Sequence, residues 1–263
     1  MARPKLDKEV RKLLDQLVAA RSLHNEEREV IADAVAAAVH LLPSEGFLDA
    51  VNRAIGRSAK RREQAIYLLS ERIELPEVTA KISEWLRDPD STWRAALVQE
   101  IRLRRLSQFG CEVTAMIASD PDPFCRQMAI HTAASLRIAE ALPVILELAK
   151  VPGDIKWRLI FALQEYATEE CRPYLAAWFA DNESTTSDRV VCAWGLAKLG
   201  DKQSYDYLVS MLGDPDVETP RSYHPGESIR AAQAICDVNG WPFEWHKEWV
   251  RSTKERVACS RSA

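Results

Sequence analysis

The sequence is short of the features that usually announce chemistry. Its 263 residues hold nine glycines, few for an α/β enzyme with phosphate-cradling turns. No GxGxxG, Walker-type loop, GxSxG or HExxH occurs in it. The histidines are His24, His40, His131, His224 and His246, and none is spaced from another His or Cys as zinc ligands are. The six cysteines form no CxxC. They read as small buried apolar residues of a reducing compartment, four of them in helical segments. No run approaches the roughly 18 apolar residues that cross a bilayer, so no membrane contact is expected. The opening MARPKLDKEVRKLL has no apolar core of the kind a signal peptide needs. Alternation of the strand type is missing at any useful length. A net charge of −4 is mild. These absences lead to an expectation of an all-α, cytoplasmic protein with no cofactor, no metal site and no catalytic residues. Acidic pairs such as Glu169-Glu170 read as solvated.

What the chain has is repetition. The stretch DPDSTWRAALVQEIRLRRLSQFGCEV, Asp88 to Val113, opens on an Asp-Pro-Asp turn and carries a small-apolar helical stripe at Ala95, Leu97, Val98 and Ile101. A break is expected at Phe109-Gly110, before a second apolar run. Its arginine, Arg94, belongs to a column with Arg28, Arg62, Arg126, Arg158 and Arg189, spaced 31 to 34 residues apart. Three and four residues after each arginine comes an apolar or small pair, for example Leu97/Val98 and Ala129/Ile130. A period of this size means stacked supersecondary units.

In chain order, Lys5–Ser22 is an amphipathic helix with a stripe at Leu6, Val10, Leu13, Leu14 and Leu17, suited to capping the array. The hairpins then run from Asn25 (expected as an N-cap) through Leu41, Glu45–Ile55, Ser58–Ile73, Glu77–Arg87, the Asp88 stretch to Ser119, 123–150, 154–180 and 184–212. Residues 213–227, GDPDVETPRSYHPGE, lengthen one turn and carry Arg221, Tyr223 and His224. They are either a tolerated loop or part of a binding face. A last hairpin, 228–238 and 243–256, brings Trp245 and Trp249, as an end-cap or as partner anchors. The tail from Cys259 is expected to fray.

The DP turns, the arginine column and WGLAKLGDKQSYDYLVSMLGDPDV resemble HEAT-like repeats of the bilin-lyase type, over roughly 25–255. Leu196, Leu199, Gly200 and Asp201, then Leu208, Met211, Leu212, Asp214 and Pro215, follow that layout. The resemblance implies a right-handed α-solenoid of six to seven hairpins with an N-terminal capping helix, as one domain over 1–263. It further implies that Asp88, Asp120, Asp214, Arg94, Arg126, Arg158 and Arg189 form a structural stacking ladder. Such repeats serve as scaffolds, adaptors, regulatory subunits, inhibitors and occasionally enzymes.

For function, the second-helix segments are richer in acid than in base and carry rings. An acidic, aromatic concave face suits a basic protein partner. The expected contact residues are Trp85, Trp178, Tyr205, Tyr207, Arg221, Tyr223, His224, Trp245 and Trp249. An immunity-type inhibitor of a cationic enzyme would fit. The alternative is a nucleic-acid protein resembling the HEAT-like alkylation-repair glycosylases, drawing on the basic clusters Arg57/Lys60/Arg61/Arg62 and Arg102/Arg104/Arg105. A bilin-lyase role is a third option, suggested by the repeat type alone.

Overall fold

The computed structural model describes residues 3–56, 58–212, 226–243 and 247–262, apart from the side chains of 59, 63, 247–249, 261 and 262. The fold is all-α: among the described residues there is no strand. The chain divides into two compact units, Met1–Ala129 and Ile130–Ala263.

In the first unit, α1 (Arg3–Ala20) buries Leu6, Val10, Leu13, Leu14 and Leu17, the stripe read from the sequence. It packs on α2 (Asn25–His40), α3 (Phe47–Ile55) and α4 (Ala59–Ser70). After α5 (Pro76–Trp85) come α6 (Ser91–Leu103), α7 (Gly110–Ser119) and α8 (Pro123–Leu136), within which the unit ends. First helices lie on first helices, α2 on α4 and α4 on α6. The second unit continues with α9 (Leu142–Ala149), α10 (Lys156–Tyr166), α11 (Arg172–Ala180), α12 (Thr186–Lys198), α13 (Lys202–Ser210), α14 (Glu227–Asn239) and α15 (Lys247–Ser262). There α12 packs on α10 and α14 along one row, with α11 and α13 beside it. This is the stacking of helical hairpins that defines the α-solenoid class.

The ladder holds, with its register shifted forward. Arg94 donates to both carboxylate oxygens of Asp120, at 2.7 and 2.9 Å, with both side chains buried. It also donates to the carbonyl oxygen of Asp88 at 2.7 Å. Arg94 thus reaches back to its own turn and forward to the aspartate of the next. Arg62 pairs forward with Asp88. Arg126 and Arg189 reach back to the carbonyls of Asp120 (2.6 Å) and Asp181 (3.0 Å). Arg158 departs from the expected ladder. Asp181 is held by Lys156 at 2.8 Å, while the Arg158 guanidinium lies 3.9 Å from the centre of the Trp157 ring. Asp214 lies outside the described residues.

A second column closes the first helices. Arg105, Arg137, Ala167, Gly200 and Gly240 all have positive φ, between 43° and 84°. At four of them the next residue's N–H returns five residues: Leu106 to Ile101, Ile138 to Ala133, Asp201 to Leu196 and Trp241 to Cys236. This satisfies a terminal carbonyl by the Schellman pattern. The fifth, at Ala167, uses the simpler bond to the Leu163 carbonyl at 2.9 Å.

Several local expectations are corrected. The break in the Asp88 stretch falls at 104–106, not at Phe109-Gly110. Gly110 is buried, right-handed and the first residue of α7. The turn is set by Leu106, which buries its side chain while Arg105 takes the left-handed conformation. Asn25 is not the N-cap of α2. His24 is, without a side-chain cap bond, and the Asn25 amide oxygen accepts from Arg28 at 3.3 Å. Phe243 precedes α15 and packs against the second unit's core. The last helix continues past Cys259 to Ser262, and Val250, Thr253 and Val257 bury one face of it. Four cysteines are buried, but Cys111 and Cys259 are exposed.

Candidate functional site

The aromatic second helices of the second unit supply a candidate groove. Its floor and walls come from α11, α12 and α13. Arg172, Ala176, Phe179, Ala180, Leu196, Asp201, Gln203 and Ser204 line a cavity of about 340 Å³. Helix phase explains which rings face it. On α11 the buried positions are Leu175 and Trp178, three apart, preceded by Cys171 in the turn. Phe179 is one step off that stripe and only partly buried. It meets Tyr207 of α13 edge-on, with ring centres 5.0 Å apart. Edge-to-face is the geometry preferred by the ring quadrupoles.

The charged groups Arg172 and Asp201 of the rim are hydrogen-bonded. Arg172 donates twice to Glu169, at 2.7 and 2.8 Å, and once to the Leu199 carbonyl at 2.8 Å. Asp201 caps α13 by accepting from the Ser204 N–H at 2.7 Å. Its hydrogen bonds to Ser204 hold that carboxyl below the usual carboxylate range. The Tyr207 phenol is pushed up by burial. Buried thiols elsewhere are poor nucleophiles, since burial raises Cys125 to about 11 and Cys192 to about 12. Among the described residues no three His, Cys, Asp or Glu side chains gather as a metal site needs. None of the described helices is long and apolar enough to cross a membrane.

Of the expected contact residues, Tyr205 and Tyr207 stand together on α13. Tyr205 accepts a hydrogen bond from Asn239 at 3.0 Å. Trp178 is buried against Tyr174 of the same helix, ring centres 6.3 Å apart. Trp85 belongs to the first unit and is buried edge-on against Trp93 at 5.2 Å. Each offers a partner little more than an edge. Arg221, Tyr223, His224, Trp245 and the Trp249 side chain lie outside the described residues. Phe179 and Arg172 were not among the expected contacts. The signal for Phe179 was its phase, one residue off the Leu175/Trp178 stripe.

The larger cavity of the first unit, about 470 Å³, runs between α5 and α7 past Arg87, Asp88, Arg94, Glu112 and Asp120. Most of its charge is committed to structure: Arg94 to Asp120, Asp88 to Arg62, and Glu112 to the Ser83 hydroxyl at 2.7 Å. Three residues of the basic clusters are also paired. Arg61 grips Asp15 at 2.7 and 3.1 Å, and Arg62 holds Asp88. Arg104 meets Glu71 at 2.7 Å and lies over the Tyr67 ring at 3.8 Å. Arg57 lies outside the described residues.

With this geometry in hand, the class can be stated. Residues 188–214, spanning α12 and α13, match the PBS lyase HEAT-like repeat. The chain therefore carries a HEAT-like repeat, and that repeat forms one wall of the groove. Among curated proteins none matches. A solved structure of human deoxyhypusine hydroxylase in complex with glycerol is similar at 13% identity, covering 96% of each chain with a TM-score of 0.33. A likeness that low says nothing of activity.

Proposed function

We propose that this is a noncatalytic, protein-binding HEAT-like repeat protein, a scaffold, adaptor or inhibitor of the immunity type, acting in the cytoplasm. Its α11–α13 groove takes a basic protein segment. The observation that carries this reading is the state of the groove: an aromatic, apolar floor whose rim charges already satisfy one another. Such a surface gains from being covered and has no group poised to transfer a proton or attack.

Charge supports a cationic partner. Helices α9, α11 and α13 with the turns that lead into and out of them hold Glu140, Glu147, Glu169, Glu170, Asp201 and Asp206 against Lys150, Arg172 and Lys202, whereas α15 is basic. Two of those three cations are already paired, Lys150 with Glu147 and Arg172 with Glu169. Carboxylates in such excess steer a basic partner and repel a phosphate backbone. The pairing of Arg61, Arg62 and Arg104 with carboxylates further disfavours the nucleic-acid reading.

The test is a photo-crosslinking residue at the exposed Gln203 in the full chain, irradiated in the native extract. The expected product is an adduct with a basic protein, lost in Phe179→Ala and in Tyr207→Ala. Crosslinking to nucleic acid, or competition by duplex DNA, would reverse the proposal.

A further inference from the structure

The first unit carries an exposed apolar stripe that the groove reading leaves unused. Helix α2 is held on one side only. Val35 and Val39 are its buried residues. The Tyr67 hydroxyl donates to the Ala32 carbonyl at 2.9 Å, and Arg72 donates to the Leu42 carbonyl, just past the helix, at 3.1 Å. On the far side Val30, Ala34, Ala37 and Leu41 recur at i, i+4, i+7 and i+11, within a band of about 60° at 3.6 residues per turn. All four are exposed, Val30 by 70% and Leu41 by 83%. Leu23, in the preceding turn, is 41% exposed. A single exposed leucine is ordinary; a stripe at helical spacing is the footprint of one helix lying along another.

Charge selects the occupant. Glu26 and Asp33 border the stripe on one side and Glu27 on the other, and Glu29 lies further round. Among the described residues none of these four forms an ion pair. Arg28 is the one arginine in α2, and it donates to Asn25. A second copy of α2 would set carboxylates against carboxylates, and an anionic membrane surface would be repelled.

We infer that the outer face of α2 is a docking site for a basic amphipathic helix of a protein partner. The partner's apolar residues cover Val30, Ala34, Ala37 and Leu41, and its flanking Lys or Arg meet Glu26, Glu27 and Asp33. The small Ala34 and Ala37 at the middle let the two helices approach closely, while Val30 and Leu41 anchor the ends. This face is separate from the α11–α13 groove and stands whether or not that groove binds.

The test uses the full chain and a fluorescein-labelled peptide of about 18 residues, with leucine at helical spacing and lysine elsewhere, followed by anisotropy. A control peptide carries glutamate for lysine. The lysine peptide is expected to bind and to weaken as salt rises. Val30→Asp and Ala34→Lys should each weaken it at least about tenfold. Glu26→Lys combined with Asp33→Lys should weaken it and flatten its salt dependence. Phe179→Ala should leave it unchanged. All these positions except Phe179 are exposed, so circular dichroism melts of the α2 variants should match the parent. Equal affinity across the α2 variants, or equal binding of both peptides, overturns the inference. So does a dimer seen by sedimentation and abolished by Val30→Asp, which would assign the face to a second copy.

Discussion

Replacing Arg137 by glycine should make the protein more stable, although arginine is the better residue almost anywhere else near a helix. Arg137 sits at φ 50° just past α8, exposed, with the Ile138 N–H returning to the Ala133 carbonyl at 2.9 Å. Left-handed backbone costs a residue with a Cβ about 1–2 kcal/mol. Glycine removes that strain but gives the unfolded chain more freedom, a loss of about 0.4–1 kcal/mol. The balance is a gain of about 0.5–1 kcal/mol, since no ion pair is lost. Gly200, at φ 84° in the same place after α12, supplies the reciprocal. There Gly200→Ala should cost about 1 kcal/mol by the same terms. At about 2–4 °C per kcal/mol for a chain of this size, the two variants should melt a few degrees apart, on opposite sides of the parent. Urea titration followed by circular dichroism should move the midpoints the same way with the slope unchanged. A less stable Arg137→Gly, or a neutral Gly200→Ala, would refute the view that this column is a strained backbone position tolerated for the sake of the turn.

Other outcomes follow from the same geometry. Arg94→Ala should destabilise by about 3–5 kcal/mol, because it leaves Asp120 buried without its cation. Adding Asp120→Ala should recover part of that in a double-mutant cycle. Gly195→Ala should cost about 1–3 kcal/mol by overpacking. A Cβ there would lie 2.7 Å from Leu175 Cδ1 and 3.2 Å from Gln164 Cα, where α12 passes close to α10 and α11. Acid should loosen the second unit through its turn carboxylates. Hydrogen bonds to Ser204 lower Asp201, and the Lys156 hydrogen bond lowers Asp181. Groups lowered in the folded state stabilise fully above their unfolded pKa, near 4, and lose that contribution as pH falls through the folded value. Stability measured from pH 6 downward should therefore fall below about pH 4, and Asp201→Asn should flatten that fall.

The arginine column was legible because it performs the same task in successive repeats, and a repeated task keeps residue type and spacing together. Where the fifth hairpin gave the task to Lys156, spacing alone pointed to Arg158, two residues away on another face of the helix. The closing column was illegible for the opposite reason. A left-handed turn is set by the N–H that returns to the helix's last carbonyls, so Arg105, Arg137, Ala167, Gly200 and Gly240 do the same work with three residue types. Glycine itself misled at Gly110, which reads as a break and sits buried inside α7. In the candidate groove, counting rings could not separate Trp178 from Phe179, neighbours on one helix of which one points inward. Phase relative to Leu175 separates them, and that phase was present in the sequence.

Pairing also ties the two proposed surfaces together. Three arginines of the basic clusters that suggested nucleic acid stitch one helix to another: Arg61 to Asp15, Arg62 to Asp88 and Arg104 to Glu71. An arginine held in a bidentate fork has little left to offer a phosphate. Charges left over after that stitching therefore carry more information about partners than total charge does. In α2 the leftover is Glu26, Glu27, Glu29 and Asp33, beside an apolar stripe that nothing in the first unit covers. On α11 and α13 and the turns before them in the other unit it is again acid beside rings. If a partner were anionic, reversing Glu26 and Asp33 to lysine would strengthen its capture; a cationic partner requires the reversal to weaken it.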